Sequence, residues 1–353
     1  HTRLQGDWSS DVCSSDLASA AIMVQRGLAP AQARLNFAPL GPDNTAVVGP
    51  ISQRQIVVLK GRRLSALDPF TGVPLWTREG ITPGSGLLGN DDELFVVPPE
   101  TLEAQVYGAR DGASRGTARM PPSSWWLTPR GGQLVVWGRP LDRQVLALRD
   151  LASGEDVWSR EFPTGSLVAQ VEGEEALVLD GRGHLTCVDL TRGEVRFETD
   201  LEPGESINEL QVVRTGEHYL VMANRPLPNG PTIVRHSQNV HLTVNGTVHL
   251  LERASGKWLW SAAMERQQFD PQQPAGLPLV TFASHVFEPR RGGNGLEQRF
   301  LMTSLDRRTG KLLYEESRGD EPLHFIDYRI DEEAQTIELQ LFQSVVKFTF
   351  SEK

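Results

Sequence analysis

Three histidines, His236, His241 and His249, lie within fourteen residues and raise the question of zinc. Imidazole is a common zinc ligand, but its ring must face the ion. Asn245-Gly246 is the signature dipeptide of a type I′ hairpin turn. A turn there sets Leu242 opposite His249 and His241 opposite Leu250, so His241 and His249 point apart. His184 and His285 are isolated. Cys187 beside Val188 in an apolar run reads as a small buried residue. With Cys13 it makes only two cysteines, too few for a disulfide framework or a four-cysteine zinc site. No G-x-S-x-G elbow announces a serine nucleophile. GGNG at 292–295 lacks the strand and helix that flank a phosphate loop. No run of acidic and amide residues marks a Ca²⁺ loop. No residue is assigned to catalysis or to a metal.

Five carboxylates, Asp68, Asp150, Asp189, Glu252 and Asp306, could serve in acid–base pairs, but each stands in a fixed frame. The frames are Asp68–Gly72–Trp76, Asp150–Gly154–Trp158, Asp189–Gly193–Phe197, Glu252–Gly256–Trp260 and Asp306–Gly310–Tyr314. A carboxylate, Gly four residues on and an aromatic four further on describe a structural repeat. The acid fixes a turn by accepting backbone N–H groups, Gly supplies a positive φ, and the aromatic packs on the next unit. A sixth, degenerate copy around Gly112 has Gly108 in the acidic slot and Gly116 in the aromatic slot.

The elements that carry these frames are short strands: 55–59, 93–97, 133–137, 176–179, 218–222 and 279–282, rich in Val, Ile, Leu, Phe and Tyr. Only 19–37 has some helical character, and Pro30 interrupts it. Motif glycines stand 40, 42, 39, 63 and 54 residues apart, and about forty residues suits a four-stranded blade. The two long steps place insertions at 224–238 and 287–299, in a slot that also holds 98–104 and 139–143. Equivalent slots open on one face, so these loops form a shared rim. The insertions carry Arg225, Arg235, His236, Arg290, Arg291 and Arg299, the candidate residues for an anion or an acidic partner. Trp125-Trp126, between Pro122 and Pro129, reads as an inter-blade connector, with a sugar platform as the other reading.

The D-x-x-T-G run with its following Trp resembles the PQQ-like (quinoprotein-like) β-propeller repeat over roughly residues 45–320. More loosely, the chain is similar to large PQQ-like repeat proteins of Planctomycetes. The resemblance implies an all-β propeller of four-stranded antiparallel blades, with seven the expected number and six or eight open. HFIDYRI, TIELQLF and VVKFTF read as three strands of the seventh blade, its fourth supplied near 45–48. It also implies a bacterial, cell-envelope or periplasmic setting. In quinoprotein dehydrogenases of this fold a vicinal cysteine pair lies over the quinone, with Ca²⁺ held by Glu, Asn and Asp; here no cysteines adjoin. The expectation is therefore a non-catalytic binding or scaffolding module for a protein partner, with no cofactor. A PQQ- and Ca²⁺-dependent dehydrogenase and a polysaccharide-binding propeller are the alternatives.

Composition bounds the rest. The chain has 353 residues, 39% hydrophobic and 23% charged, with 33 Gly and 23 Pro. No apolar run reaches the length of a membrane helix. A net charge of −10 argues against a broad nucleic-acid surface. Residues 1–17, containing GDWSSDVCSSDL, resemble the translated read-through of a sequencing-library adapter and are set aside as a non-native tail. The expected organisation is this tail, a lead-in over 18–44 and a propeller over 45–353, forming a monomeric ring or part of a longer chain.

Overall fold

A computed structural model describes residues 17–21, 24–25, 46–99, 101–122, 126–130, 132–138, 143–171, 174–201, 206–226, 242–271, 273–289, 296–319, 325–331, 333–341 and 345–352. Every regular element among them is a β-strand. The chain divides into two compact units. One is Gln32–Ser166 with Val188–Val195; the other is His1–Ala31, Leu167–Cys187 and Arg196–Lys353.

The first unit holds three four-stranded antiparallel sheets, each a meander. Ala46–Ile51, Ile56–Lys60, Arg63–Leu67 and Pro74–Arg78 pair in that order. Gly86–Gly89, Glu93–Val97, Glu103–Gly108 and Ser114–Arg119 form the second; Trp126–Arg130, Gln133–Gly138, Gln144–Asp150 and Asp156–Phe162 form the third. The fourth strand is the least buried of each meander. ELFVV is almost wholly buried, whereas in Pro74–Arg78 only Trp76 is partly covered. A second strand with both faces covered must be apolar throughout, and a fourth strand at the edge need not be. Val57, Leu59, Leu64, Leu94 and Val96 fill one core; Phe95, Val97, Leu134, Val136 and Leu151 fill another.

The second unit contains the sheet Leu167–Val171, Glu175–Leu179, His184–Asp189 and Val195–Asp200, whose hairpin tip Val188–Val195 clusters with the first unit. A seven-stranded sheet follows: Glu209–Thr215, His218–Asn224, Leu242–Glu252, Trp258–Phe269, Leu279–Pro289, Leu296–Asp306 and Leu312–Gly319. It contains two repeat hairpins, joined through the single pair Phe269–Phe282. The last sheet combines Phe325–Asp331, Thr336–Leu341 and Val345–Glu352 with Leu17–Ala21 and Val24–Gln25. Six such sheets occur among the described residues.

Four expectations change. Residues 45–48 do not complete the C-terminal sheet: Ala46–Ile51 is the first strand of the first sheet, paired with Ile56–Lys60. The C-terminal strand Val345–Glu352 takes Leu17–Ala21 instead. Within 19–37, the described residues are strand, not helix. Part of the 287–299 insertion is also strand, since Leu279–Pro289 and Leu296–Asp306 stay in register out to Pro289–Leu296.

The fourth change concerns Asn245-Gly246, which makes no turn. Leu242–Glu252 runs straight through it, so Leu242 faces Phe269 and His249 faces Ser261 and Val221. Asn224 overrides the local preference. Its side chain accepts the Asn245 N–H at 2.9 Å and donates to the Thr243 carbonyl at 2.8 Å. Gly246 has no positive φ. A Cβ there would lie 2.0 Å from the Ala223 carbonyl oxygen, so this glycine permits close strand approach.

Candidate functional site

The carboxylates of the repeat act within their own turns. One Asp68 carboxylate oxygen accepts N–H groups of Phe70 at 3.0 Å and Thr71 at 2.8 Å, plus the Thr71 hydroxyl. Those bonds, led by the Thr71 backbone, hold the Asp68 carboxyl below its ordinary pKa. Asp150 accepts from Ala152 and Ser153, Asp189 from Thr191 and Arg192, Asp306 from Arg308 and Thr309, all at 2.8–3.1 Å. Glu252, one methylene longer, accepts the Ser255 hydroxyl. In each turn the glycine N–H returns to the acid's carbonyl at 2.8–2.9 Å, as Gly72 does to Asp68. A carboxylate saturated by local donors is a turn lock.

Each motif glycine has a second task where an aromatic precedes it by one unit. A Cβ on Gly112 would meet Trp76 at 2.7 Å, on Gly193 Trp158 at 2.6 Å, on Gly256 Phe197 at 2.1 Å and on Gly310 Trp260 at 2.7 Å. The indole N–H groups of Trp76, Trp158 and Trp260 donate to the carbonyls of Ala109, Leu190 and Arg307 at 2.8, 3.2 and 2.6 Å. Gly72, with no earlier motif copy, and Gly154, whose predecessor has Gly116 in the aromatic slot, face open space. In the degenerate copy the Asp111 carboxylate fills the space above Gly108, where a Cβ would come within 2.2 Å of it. It accepts the Ala113 N–H at 2.9 Å and pairs with Arg115 at 3.0 Å. The last aromatic, Tyr314, sits edge-on to Phe348 at 6.4 Å.

One charged cluster has no counterpart in the sequence reading. Glu175, with its side chain 3% exposed, is bound by Arg196 at 2.5 Å, Arg253 at 2.9 Å and the Tyr219 hydroxyl at 2.5 Å. Burial pushes the Glu175 carboxyl up, but hydrogen bonds from Arg253 and Tyr219 with both arginine charges bring it below its ordinary pKa. Cys187 lies beside this cluster, and burial, aided by the Glu175 charge, raises its thiol to about 12. It is therefore a thiol and no nucleophile at neutral pH. Only an acid in an otherwise apolar strand, EALVL, hints at the cluster, because its partners come from three other strands or their ends.

His249 is buried and its Nδ1 meets the Ser261 hydroxyl at 2.6 Å. Burial lowers its pKa to about 4, so the ring is neutral. Half-buried His184 bonds Asp200 at 2.7 Å, which raises its pKa. His236 and His241 lie outside the described residues, as do Arg235, Arg290, Arg291 and Trp125. Trp126 donates to the Pro121 carbonyl at 3.0 Å. Arg225 is exposed on a fixed backbone, its N–H on the Asn245 carbonyl at 2.8 Å and its own carbonyl on the Asn245 amide at 3.2 Å. Arg299 is half-buried on a strand, opposite Val286 and Gly319.

Four-stranded antiparallel meanders interlocked by an acid–Gly–aromatic repeat are blades of the PQQ-like β-propeller kind. Residues 142–234 match the family described as outer membrane protein assembly factor BamB. BamB from Moraxella catarrhalis is similar in structure at 15% identity and a TM-score of 0.38, over 96% of this chain and 93% of that one. The computationally designed Ika8 protein is similar at 11% identity and a TM-score of 0.36, over 95% of this chain and 100% of that one. Neither structural likeness bears on function. No curated protein matches the chain in sequence.

Proposed function

We propose that the chain is a non-catalytic propeller module of the bacterial cell envelope that holds a protein partner on basic loops. Seven blades fit the five full motif copies, the Gly112 copy and the C-terminal sheet. The residues assigned to contact are Arg225, Arg235, His236, Arg290, Arg291 and Arg299, and the partner surface is acidic. One observation carries this reading: the repeat's acids are taken up within their own turns and its aromatics by the next repeat, while Arg225 stands exposed on a backbone clamped by Asn245. Rim charges of this kind steer encounter and set salt dependence.

No PQQ or Ca²⁺ is part of the proposal. The test is to incubate the protein with both, then record quinone absorbance and alcohol-dependent dye reduction. No change in either agrees with a binding module; turnover of an alcohol overturns it.

A further inference from the structure

Among the described residues, strand Trp258–Phe269 is paired along its length on one side only. Leu242–Glu252 runs beside it from Leu242–Phe269 to Leu251–Trp258, but on the other side the ladder is the single pair Phe269–Phe282. The unpaired side borders a cleft of about 620 Å³. Six consecutive residues, 262–267, line that cleft. Successive side chains of a strand point to opposite faces, so such a run is lined by the strand's edge. The facing wall is built the same way: residues 315–317 line it from Leu312–Gly319, the terminal strand of its sheet, and Leu301 and Leu305 add apolar surface.

The chemistry of the cleft is acidic. Glu265, Glu315 and Glu316 line it against one cation, Arg266. Arg266 lies at a bulge opposite Asn245 with φ at 53°, its N–H on the Asn245 side chain and its carbonyl on the Ser284 hydroxyl. Bulges of this kind re-aim neighbouring side chains. A second feature points to a ligand. Gln267, 6% exposed, donates through its amide to Thr303 at 3.3 Å, yet its buried side-chain oxygen has no partner among the described residues. Buried polar groups are nearly always satisfied, so a hydrogen-bonding group of a ligand belongs there.

We infer that this cleft takes an extended, basic polypeptide segment of a partner protein as an added β-strand. Its backbone pairs with the open edge over 258–265, short of the Arg266 carbonyl that Ser284 holds, its Lys or Arg side chains meet Glu265, Glu315 and Glu316, and one of its backbone amides reaches Gln267. Strand addition supplies affinity through the main chain and selectivity through alternate side chains. Its lining residues differ from the arginines assigned to the loops, and it is tested by different substitutions.

The probe is a fluorescein-labelled ten-residue peptide alternating Lys and Val, followed by anisotropy with the full chain. Saturable binding is expected, with roughly tenfold loss in Glu265→Gln/Glu315→Gln. Both carboxylates are exposed, and an unchanged Tm shows that the variant is folded. A peptide alternating Glu and Val should not bind, and N-methylating alternate residues of the Lys–Val peptide should abolish binding. Absence of saturable binding, or binding unaffected by the Gln substitutions or by N-methylation, overturns the inference.

Discussion

Gly193 and Gly154 occupy the same place in the repeat and nearly the same backbone, at φ 70° and 74°. They differ in surroundings, since Trp158 lies against Gly193 while nothing lies within 4 Å of a Cβ on Gly154. Alanine at Gly154 meets only the left-handed backbone cost, about 1 kcal/mol. Alanine at Gly193 must also displace the Trp158 ring, so its loss in urea-midpoint stability should be clearly larger. Equal losses would show that the aromatic is not seated on the glycine. The spacing of the repeat was legible because turn locks and docking aromatics recur locally. Glu175 was not, since Arg196, Tyr219 and Arg253 reach it from elsewhere in the chain. His249 gives a pH prediction. Its folded pKa of about 4 lies below the ordinary 6.5, so the unfolded chain binds more protons between these values. Its contribution is complete above pH 6.5 and is lost as pH falls towards 4, by about 3 kcal/mol. His218 is also lowered, by burial and Arg307, whereas His184 is raised, so the test is a difference between proteins. His249→Gln should remove a corresponding part of the stability change between pH 7 and pH 4; an unchanged pH profile counts against a neutral buried ring.

At the scale of elements, strand positions followed composition closely. ELFVV and QLVVW lie in strands at the expected places because a strand covered on both faces must be apolar throughout. Asn245-Gly246 shows where local reading fails. The dipeptide favours a hairpin, but the Asn224 side chain satisfies the Asn245 N–H and Thr243 carbonyl inside a continuous strand. A preference worth at most a few kcal/mol yields to a buried polar network. Asn224→Ala should therefore destabilise by about 2 kcal/mol, because it leaves the Asn245 N–H without its acceptor. Equilibrium urea unfolding checks this; a loss below about 0.5 kcal/mol, the usual range of surface changes, would remove Asn224 from that role. The pairing of Leu17–Ala21 with Val345–Glu352 was equally hidden, since nothing in LASAA distinguishes an edge strand from a lead-in.

At the scale of the molecule, the net charge of −10 makes the basic residues of the two insertions, which we propose to hold the partner, the conspicuous exception. Charge on a rim acts mainly through association rate and salt dependence, so its effect shows in partner capture at low ionic strength. The positions of these arginines in the chain were legible because the spacing of motif glycines locates the insertions that carry them. Their surroundings were not, since Arg299 lies on an extended strand and Arg225 is anchored by a residue twenty positions away. The most direct measurement is capture from an envelope fraction at low salt, comparing the native chain with one carrying Ser at Arg225, Arg235, Arg290 and Arg291. A discrete acidic protein retained by the native chain and lost from the variant is the predicted result. The same protein retained equally by both would contradict a partner held on the arginine-bearing loops.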